Sequence, residues 1–297
     1  MISRSEQKMM KLILDVATDH PEVRAVLLNG SRANPNVATD IFQDYDIIYV
    51  VKSLDPFLRD HTWIDVFGER MILQMPEDME LYPPAPELEG AFSYLMQFTD
   101  GNRIDLILVP VENLQHFLTD SLCKVLLDKD DMASLNALDA ASDKSYLISR
   151  PSVRAFNDCC NEFLYTCAGL AKGIWREQLP YVNYLYYHVI QTALMQMMDW
   201  DIAFRHQFLV NPGKSGKFYK EYLEPEFYAE LIQTYQTTDV KETWNSLFMT
   251  MELFQKIANN VTEQLGVAYP LDEHQRIADY LQHVKLLPKN SNKIYSL

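Results

Sequence analysis

No stretch of this chain is apolar for long enough to span a bilayer, so a helical membrane protein is excluded at the outset. Cysteine is scarce: Cys123, Cys159, Cys160 and Cys167 stand at no disulfide or zinc spacing and read as reduced thiols of a cytoplasmic protein. The histidines show no metal-ligand spacing, and His188 reads as a buried or hydrogen-bonded helix residue. Neither a Gly-x-Ser-x-Gly elbow nor a dinucleotide fingerprint is present. Pro212-Gly213-Lys214-Ser215-Gly216-Lys217 invites a phosphate-loop reading, but Phe208 stands where that motif needs its first glycine. Positive charge is in short supply as well. There are 26 Lys and Arg against 41 Asp and Glu, a net charge of −15. A field of that sign repels nucleic acid and anionic membranes and favours cationic substrates and metal ions. The imbalance sits in residues 1–150, with 13 basic against 25 acidic side chains; residues 151–297 carry 13 against 16.

What is present divides the 297 residues into two regions. The chain opens on an amphipathic helix rather than a signal peptide, with Ser3 and Glu6 as a capping-box pair ahead of Met9, Leu12, Ile13, Val16 and Ala17. Strands are predicted at Val23–Leu28, Tyr45–Val51, Arg70–Gln74, Phe92–Phe98 and Arg103–Val109. Thr99-Asp100-Gly101-Asn102 forms a hairpin turn, and Pro83-Pro84-Ala85-Pro86 a stiff surface loop. Strands joined by both hairpins and helices imply a mixed sheet with packed helices. From Arg150-Pro151-Ser152 onward the pattern is all-helical: Ser152 caps a helix to about Gln178, Pro180 opens another, and Glu226–Tyr235, Val240–Gln264 and Asp272–Val284 follow. The expectation is an α+β protein, residues 1–150 holding the sheet and 151–297 an all-helical domain. No internal repeat or low-complexity segment interrupts it.

Asp44-Tyr45-Asp46 carries the strongest chemical signal. Side chains alternate along a strand, so the two carboxylates share a face at the mouth of the apolar run Ile47-Ile48-Tyr49-Val50-Val51. Repulsion and lost hydration there are tolerated when a divalent cation sits between them. Asp105, inside Ile104-Asp105-Leu106-Ile107, adds a third strand carboxylate, or else a buried acid paired with Arg103. Paired cations on such carboxylates neutralise phosphate oxygens, and the Gly30-Ser31 turn offers a hydroxyl and N–H groups to phosphate. In the second half, Lys214 and Lys217 are candidate phosphate contacts, and Lys220 reads as solvated. Asp158 and Glu162 lie i and i+4 on one helical face. With Phe156, Phe163, Tyr165 and Trp175 on the same helix, they suggest carboxylates plus an aromatic wall for a cation. Asp199-Trp200-Asp201 makes a weaker case of the same kind, and Tyr181, Tyr184, Tyr186 and Tyr187 read as helix packing.

The series Asn29-Gly30-Ser31-Arg32, Asp44-Tyr45-Asp46 and Asp105 resembles the signature of the DNA polymerase β-like nucleotidyltransferases. More specific words surround it: Phe42-Gln43-Asp44-Tyr45-Asp46-Ile47, Asp65-Val66-Phe67-Gly68-Glu69-Arg70, Pro76-Glu77-Asp78-Met79-Glu80-Leu81, Phe92-Ser93-Tyr94-Leu95-Met96 and Asp158-Cys159-Cys160-Asn161-Glu162-Phe163. Together they are similar to the bacterial aminoglycoside 6-adenylyltransferases, the streptomycin-modifying group. The resemblance implies a polymerase β-like domain with a helical substrate-binding domain completing the cleft. It implies AMP transfer from ATP, with two Mg²⁺ ions, to a drug hydroxyl. Asp44 and Asp46 match the metal pair, and Asp105 the third acid, as base or further ligand. Gly30 and Ser31 match the phosphate-contacting turn, and Arg32 a basic position beside it. The partners expected are ATP and a cationic aminoglycoside, with no nucleic acid and no membrane. Another hydroxylated acceptor, or a catalytically idle nucleotide-binding regulator, are the rival readings.

Overall fold

The computed structural model describes residues 3–84, 88 and 90–295. Ala85 and Pro86 of the expected proline loop lie outside the described residues. The chain divides into two compact units, residues 1–145 and 146–297. Among the described residues no helix is long and apolar enough to cross a membrane.

The first unit is a six-stranded mixed sheet of β1 (Val23–Asn29), β2 (Tyr45–Val51), β3 (Arg70–Gln74), β4 (Phe92–Phe98), β5 (Arg103–Pro110) and β6 (Lys124–Asp128). The spatial order is β3-β4-β5-β2-β1-β6. Only β2 and β5 run parallel; the other neighbours are antiparallel. Five strands stand where the sequence predicts them. β6 is additional: it covers the edge of β1, pairing Leu28 with Lys124 and Ala25 with Asp128.

Period-two alternation splits the sheet's faces. One face, with Tyr45, Ile47, Tyr49, Tyr94, Met96, Ile104 and Leu106, is sealed by Met9, Ile13 and Ala17 of the first helix (Glu6–Asp19) and by Phe57 and Phe67. The Tyr49 hydroxyl donates to the Ile13 carbonyl at 2.5 Å inside that core. The opposite face carries Ala25, Leu27, Ile48, Val50 and Val109, and it packs against Leu114 and Leu135. That cover stops short of Asp46 and Asp105, which leaves a cleft at the end of the sheet.

The first helix begins differently from the expected Ser3–Glu6 box. Its cap is Ser5, whose side chain accepts from the Lys8 N–H. The reason is a tether one residue earlier: Arg4 binds Asp100 of the β4–β5 hairpin at 2.6 Å and donates to the Phe67 carbonyl at 2.5 Å. Ser3 is drawn off to accept from Asn102, and Glu6 faces Arg32 at 3.4 Å. The Arg4 guanidinium holds the Asp100 carboxyl well below the usual carboxylate range.

No strand occurs among the described residues of the second unit. Ser152 caps the helix Val153–Trp175 by accepting from the Ala155 N–H at 3.0 Å. Its buried stripe Phe156, Cys160, Phe163, Cys167, Leu170 and Ile174 joins the core with the helices Val240–Leu265 and Leu271–Leu286. Gly266 ends Val240–Leu265 in the left-handed conformation, φ 69°. The four cysteines are free thiols, and burial pushes Cys123 up to about 11 and Cys159 to about 12.

Candidate active site

Strand register builds the site. Asp46 of β2 lies opposite Asp105 of β5 on one side and Asn29 of β1 on the other. Asp46 is the one residue of β2 that is not buried by the cores, because its face of the sheet is open at this end. The resulting cleft of about 640 Å³ is lined by Asn29, Gly30, Asp46, Ser93, Asp105 and Asp120, among others.

Gly30 follows β1 and turns the chain at φ +67°. Its missing side chain is a steric requirement: a Cβ there would lie 2.0 Å from Asp46 Oδ2. The turn Gly30–Arg32 thus brings backbone against a carboxylate, which only glycine permits. Among the described residues nothing engages the Ser31 hydroxyl, which stays available for a ligand.

The electrostatics are those of a site short of positive charge. Burial, then the neighbouring Asp105 and Asp44 carboxylates, push the Asp46 carboxyl up to about 6; Arg103 and Arg32 offset this only in part. Arg103, two residues before Asp105 on the same strand face, grips it with both arms, Nε and Nη2 each 2.8 Å from a carboxylate oxygen. Its Nε also lies 3.7 Å from Asp44 Oδ2. The pairing of Asp105 with Arg103 weighed in the sequence is therefore present.

The donor set fits a hard divalent cation. Carboxylate oxygens are the ligands magnesium prefers, and a cation would relieve the repulsion that raises Asp46. Among the described residues, however, no three His, Cys, Asp or Glu side chains are gathered into a ready ligand shell. Both oxygens of Asp105 are taken up by the Arg103 guanidinium.

Arg32 points away from the cleft. It donates to the carbonyls of Asp44 (3.0 Å) and Gln43 (2.8 Å), and its guanidinium lies 4.0 Å over the Tyr45 ring. Its side chain is 10% exposed, so this planar cation is a clamp on the loop that presents Asp44. Arg32→Lys should lower unfolding stability by about 2 kcal/mol, since an ammonium cannot reproduce the fork or the stacking. Urea melts with parallel ATP titrations check this: weakened ATP binding at unchanged stability would instead make Arg32 a direct phosphate contact.

Sequence reasoning gives no site role to Ser93, His116 and Asp120 in the cleft wall, and names Asn29 only as part of the turn motif. Asn29 Nδ2 faces Asp120 Oδ2 at 3.3 Å, and Glu77 accepts both the N–H and the hydroxyl of Ser93. Asp120 follows β5 by ten residues in an irregular segment, where no periodicity marks it.

In the helical unit the expected aromatic wall is absent. Phe156 and Phe163 are fully buried, Phe163 stacking on Phe254 with centroids 3.8 Å apart, and the Trp175 indole donates to the Leu287 carbonyl. The stripe on which they stand is the core-facing one. Asp158 and Glu162 occupy the opposite, exposed face with Tyr165, and Arg154 lies 3.7 Å from Asp158. Asp201 is buried and held by Arg205 and Asn260, while Asp199 takes the Tyr219 hydroxyl at 2.7 Å, so both serve packing. Burial pushes the Asp199 carboxyl up to about 6. Tyr186 is buried and Tyr187 hydrogen-bonded to Thr237, as packing residues, but Tyr181 and Tyr184 are exposed. His188 is exposed too, in a π-helical turn, Tyr186–Ile190, with its ring tilted against Tyr184 at a centroid distance of 4.5 Å. Lys214 and Lys217 are exposed on the turn following Gly213.

The family model described as streptomycin adenylyltransferase matches residues 3–284. An aminoglycoside 6-adenylyltransferase of Bacillus subtilis (strain 168) is 40% identical over 95% of this chain and 98% of its own. One from Campylobacter jejuni is 38% identical over 94% of this chain and 95% of its own. A crystal structure of an aminoglycoside 6-adenyltransferase from Bacillus subtilis, 36% identical, covers 96% of this chain and 100% of its own with a TM-score of 0.46.

Proposed function

The chain belongs to the streptomycin adenylyltransferase family and is a nucleotidyltransferase; from that premise we propose that it transfers the adenylyl group of ATP to the 6-hydroxyl of streptomycin, as a cytoplasmic resistance enzyme. The observation that carries this reading is the in-register pair Asp46–Asp105, facing an open cleft beside the Gly30 turn.

In the reaction the drug hydroxyl oxygen forms a bond to the α-phosphorus, the bond from that phosphorus to the β-phosphate bridging oxygen breaks, and pyrophosphate leaves with the electron pair. Asp44, Asp46 and Asp105 would hold two Mg²⁺ ions, which supply charge neutralisation for the phosphate oxygens. Gly30 lets the backbone approach the nucleotide, and the Ser31 hydroxyl and neighbouring N–H groups bind phosphate oxygens. Asp105 is set to receive the proton of the attacking hydroxyl once its oxygens are released from Arg103. Within the helical unit, the exposed Lys214 and Lys217 serve phosphate, and the exposed Asp158 and Glu162 serve the positive groups of the drug. The acidic character of the first half suits the same cationic acceptor.

Asp105→Asn is expected to cut turnover by about 10²–10⁴-fold, the range of a lost general base, with ATP affinity changed only a few-fold. Product mass and pyrophosphate release read the first effect, and calorimetry with Mg-ATP the second. Loss of ATP binding would make Asp105 chiefly a metal holder. Wild-type protein that yields no adenylylated streptomycin would remove streptomycin as the acceptor. Binding of ATP without turnover of any acceptor in a drug panel would favour a regulator.

A further inference from the structure

Far along the chain from the acidic strands, the helical unit holds a feature at odds with the protein's overall charge. A cavity of about 230 Å³ lies between the end of Val153–Trp175, the last turns of Leu271–Leu286 and the segment after it. Lys172, Arg176 and Lys293 line it, and no carboxylate does. In a chain with 41 acidic and 26 basic residues, three cations meeting without an acid are unusual.

They are also uncompensated. Lys172, Arg176 and Lys293 make no ion pair and no side-chain hydrogen bond among the described residues. Their neighbour Lys289 shows the contrast: it pairs with Glu177 at 2.8 Å, donates to the Trp175 carbonyl and covers the Trp175 ring. Lys172 and Arg176 are i and i+4, one above the other on the helix, where like charges repel. The helix C-terminus offsets that repulsion in part. It does not account for Lys293, which arrives from a different segment.

The walls are fixed. Trp175 Nε1 donates to the Leu287 carbonyl at 2.8 Å, His283 stacks on Tyr295 with centroids 4.4 Å apart, and His283 also binds the Ile294 carbonyl. The segment bearing Lys293 is therefore pinned against both helices. Tyr280, Ser291 and the Asn292 amide add neutral hydrogen-bonding groups to the three cations, and Trp175, Val284, Leu287 and Ile294 supply the apolar part of the wall.

We propose that this cavity is a binding site for a compact multiply charged phosphate anion, of the pyrophosphate type, held by Lys172, Arg176 and Lys293. Such an anion is small enough to enter the cavity, supplies the missing negative charge and presents acceptors to the three cationic side chains. Its phosphate chemistry has two sources, the free anion and the phosphate chain of a nucleotide.

Calorimetric titration of the full chain with inorganic pyrophosphate tests the proposal, in EDTA so that the acidic cleft has no cation with which to hold phosphate. One saturable site is expected. Arg176→Gln/Lys293→Gln should weaken it at least about tenfold, as two charge-assisted contacts are lost, with an unchanged thermal melt because both side chains are exposed. ATP added to the pyrophosphate complex separates the sources: displacement supports a site for nucleotide phosphates as well, and no displacement supports a site for the free anion. Absence of saturable binding, or equal affinity in the double variant, overturns the proposal.

Discussion

Asp46→Asn is expected to move activity and stability in opposite directions. Turnover should fall by at least about 10³-fold, the rate equivalent of several kcal/mol of charge stabilisation at a phosphoryl centre. The metal-free fold, in contrast, should become more stable at neutral pH. The Asp46 carboxyl is raised from 3.8 to about 6, first by burial and then by Asp105 and Asp44. A carboxyl raised in the folded state binds its proton more tightly there than in the unfolded chain. Its contribution is therefore fully present below the unfolded pKa and lost as pH rises through about 6. Above that pH the wild-type chain carries an ionised Asp46 against two like charges, at a cost on the order of 3 kcal/mol. Asparagine keeps the shape and never ionises. Urea melts in EDTA should show the two proteins alike near pH 4 and the variant more stable near pH 7.5. Added Mg²⁺ should then raise the wild type and leave the variant almost unmoved. Equal stability at pH 7.5 would mean that Arg103 and Arg32 already neutralise the cluster, and that the carboxylates are not short of a cation.

The same residues show how far the sequence reaches. Asp46 on the open strand face, and Asp105 on a strand with the same apolar pattern, follow from period-two alternation; Asp44 stands one residue before β2 and is not in the cleft wall. The mutual alignment of Asp46 and Asp105 does not follow from it, because a parallel β2–β5 pairing brings together residues about 60 positions apart. Arg103 and Asp105 share a face by the same alternation, and the weighed pairing holds. Asp120 and Asn29 meet only because β1 turns where it does and the segment leading into β6 passes beside it. No local pattern encodes such a meeting. β6 itself escaped notice because Lys124-Val125-Leu126-Leu127-Asp128 is short and flanked by charge, and its warrant is the open edge of β1. Local sequence points to Ser3 as the cap and the structure uses Ser5, because a long-range tether, Arg4 to Asp100, decides where the first turn starts. The aromatic wall was a different kind of error. Phe156, Cys160, Phe163, Cys167, Leu170 and Ile174 recur at helical spacing, so the aromatic residues were legible as core and Asp158, Glu162 and Tyr165 as the opposite face.

Gly30→Ala should be as damaging to catalysis as the loss of a carboxylate, although it adds only a methyl group. The new Cβ would stand 2.0 Å from Asp46 Oδ2 and 2.8 Å from its Cγ, closer than unbonded atoms approach. The φ of +67° adds a strain of about 1–2 kcal/mol for any residue with a Cβ. Three responses are open: Asp46 swings out of register with Asp105, the Gly30–Arg32 turn lifts from the strand, or both shift. Each misplaces a group that positions the nucleotide, and a displacement of about 1 Å costs about 10²-fold in rate. Displacement of both groups compounds to a loss of about 10³-fold or more. Stability should fall as well, by about 1–3 kcal/mol, as for other overpacked sites. The clash can be separated from the backbone strain by a double-mutant cycle with Asp46→Ala, which removes Oδ2 and Cγ, the two atoms nearest the new methyl group, and leaves only Asp46 Cβ at 3.3 Å. If contact with Asp46 is the main cost, Gly30→Ala should destabilise the Asp46→Ala protein by only the φ strain, leaving a coupling energy of about 1 kcal/mol or more. Additive effects in urea melts would show instead that the turn yields freely. The close approach of the Gly30 backbone to the carboxylate would then not be what fixes Asp46 opposite Asp105.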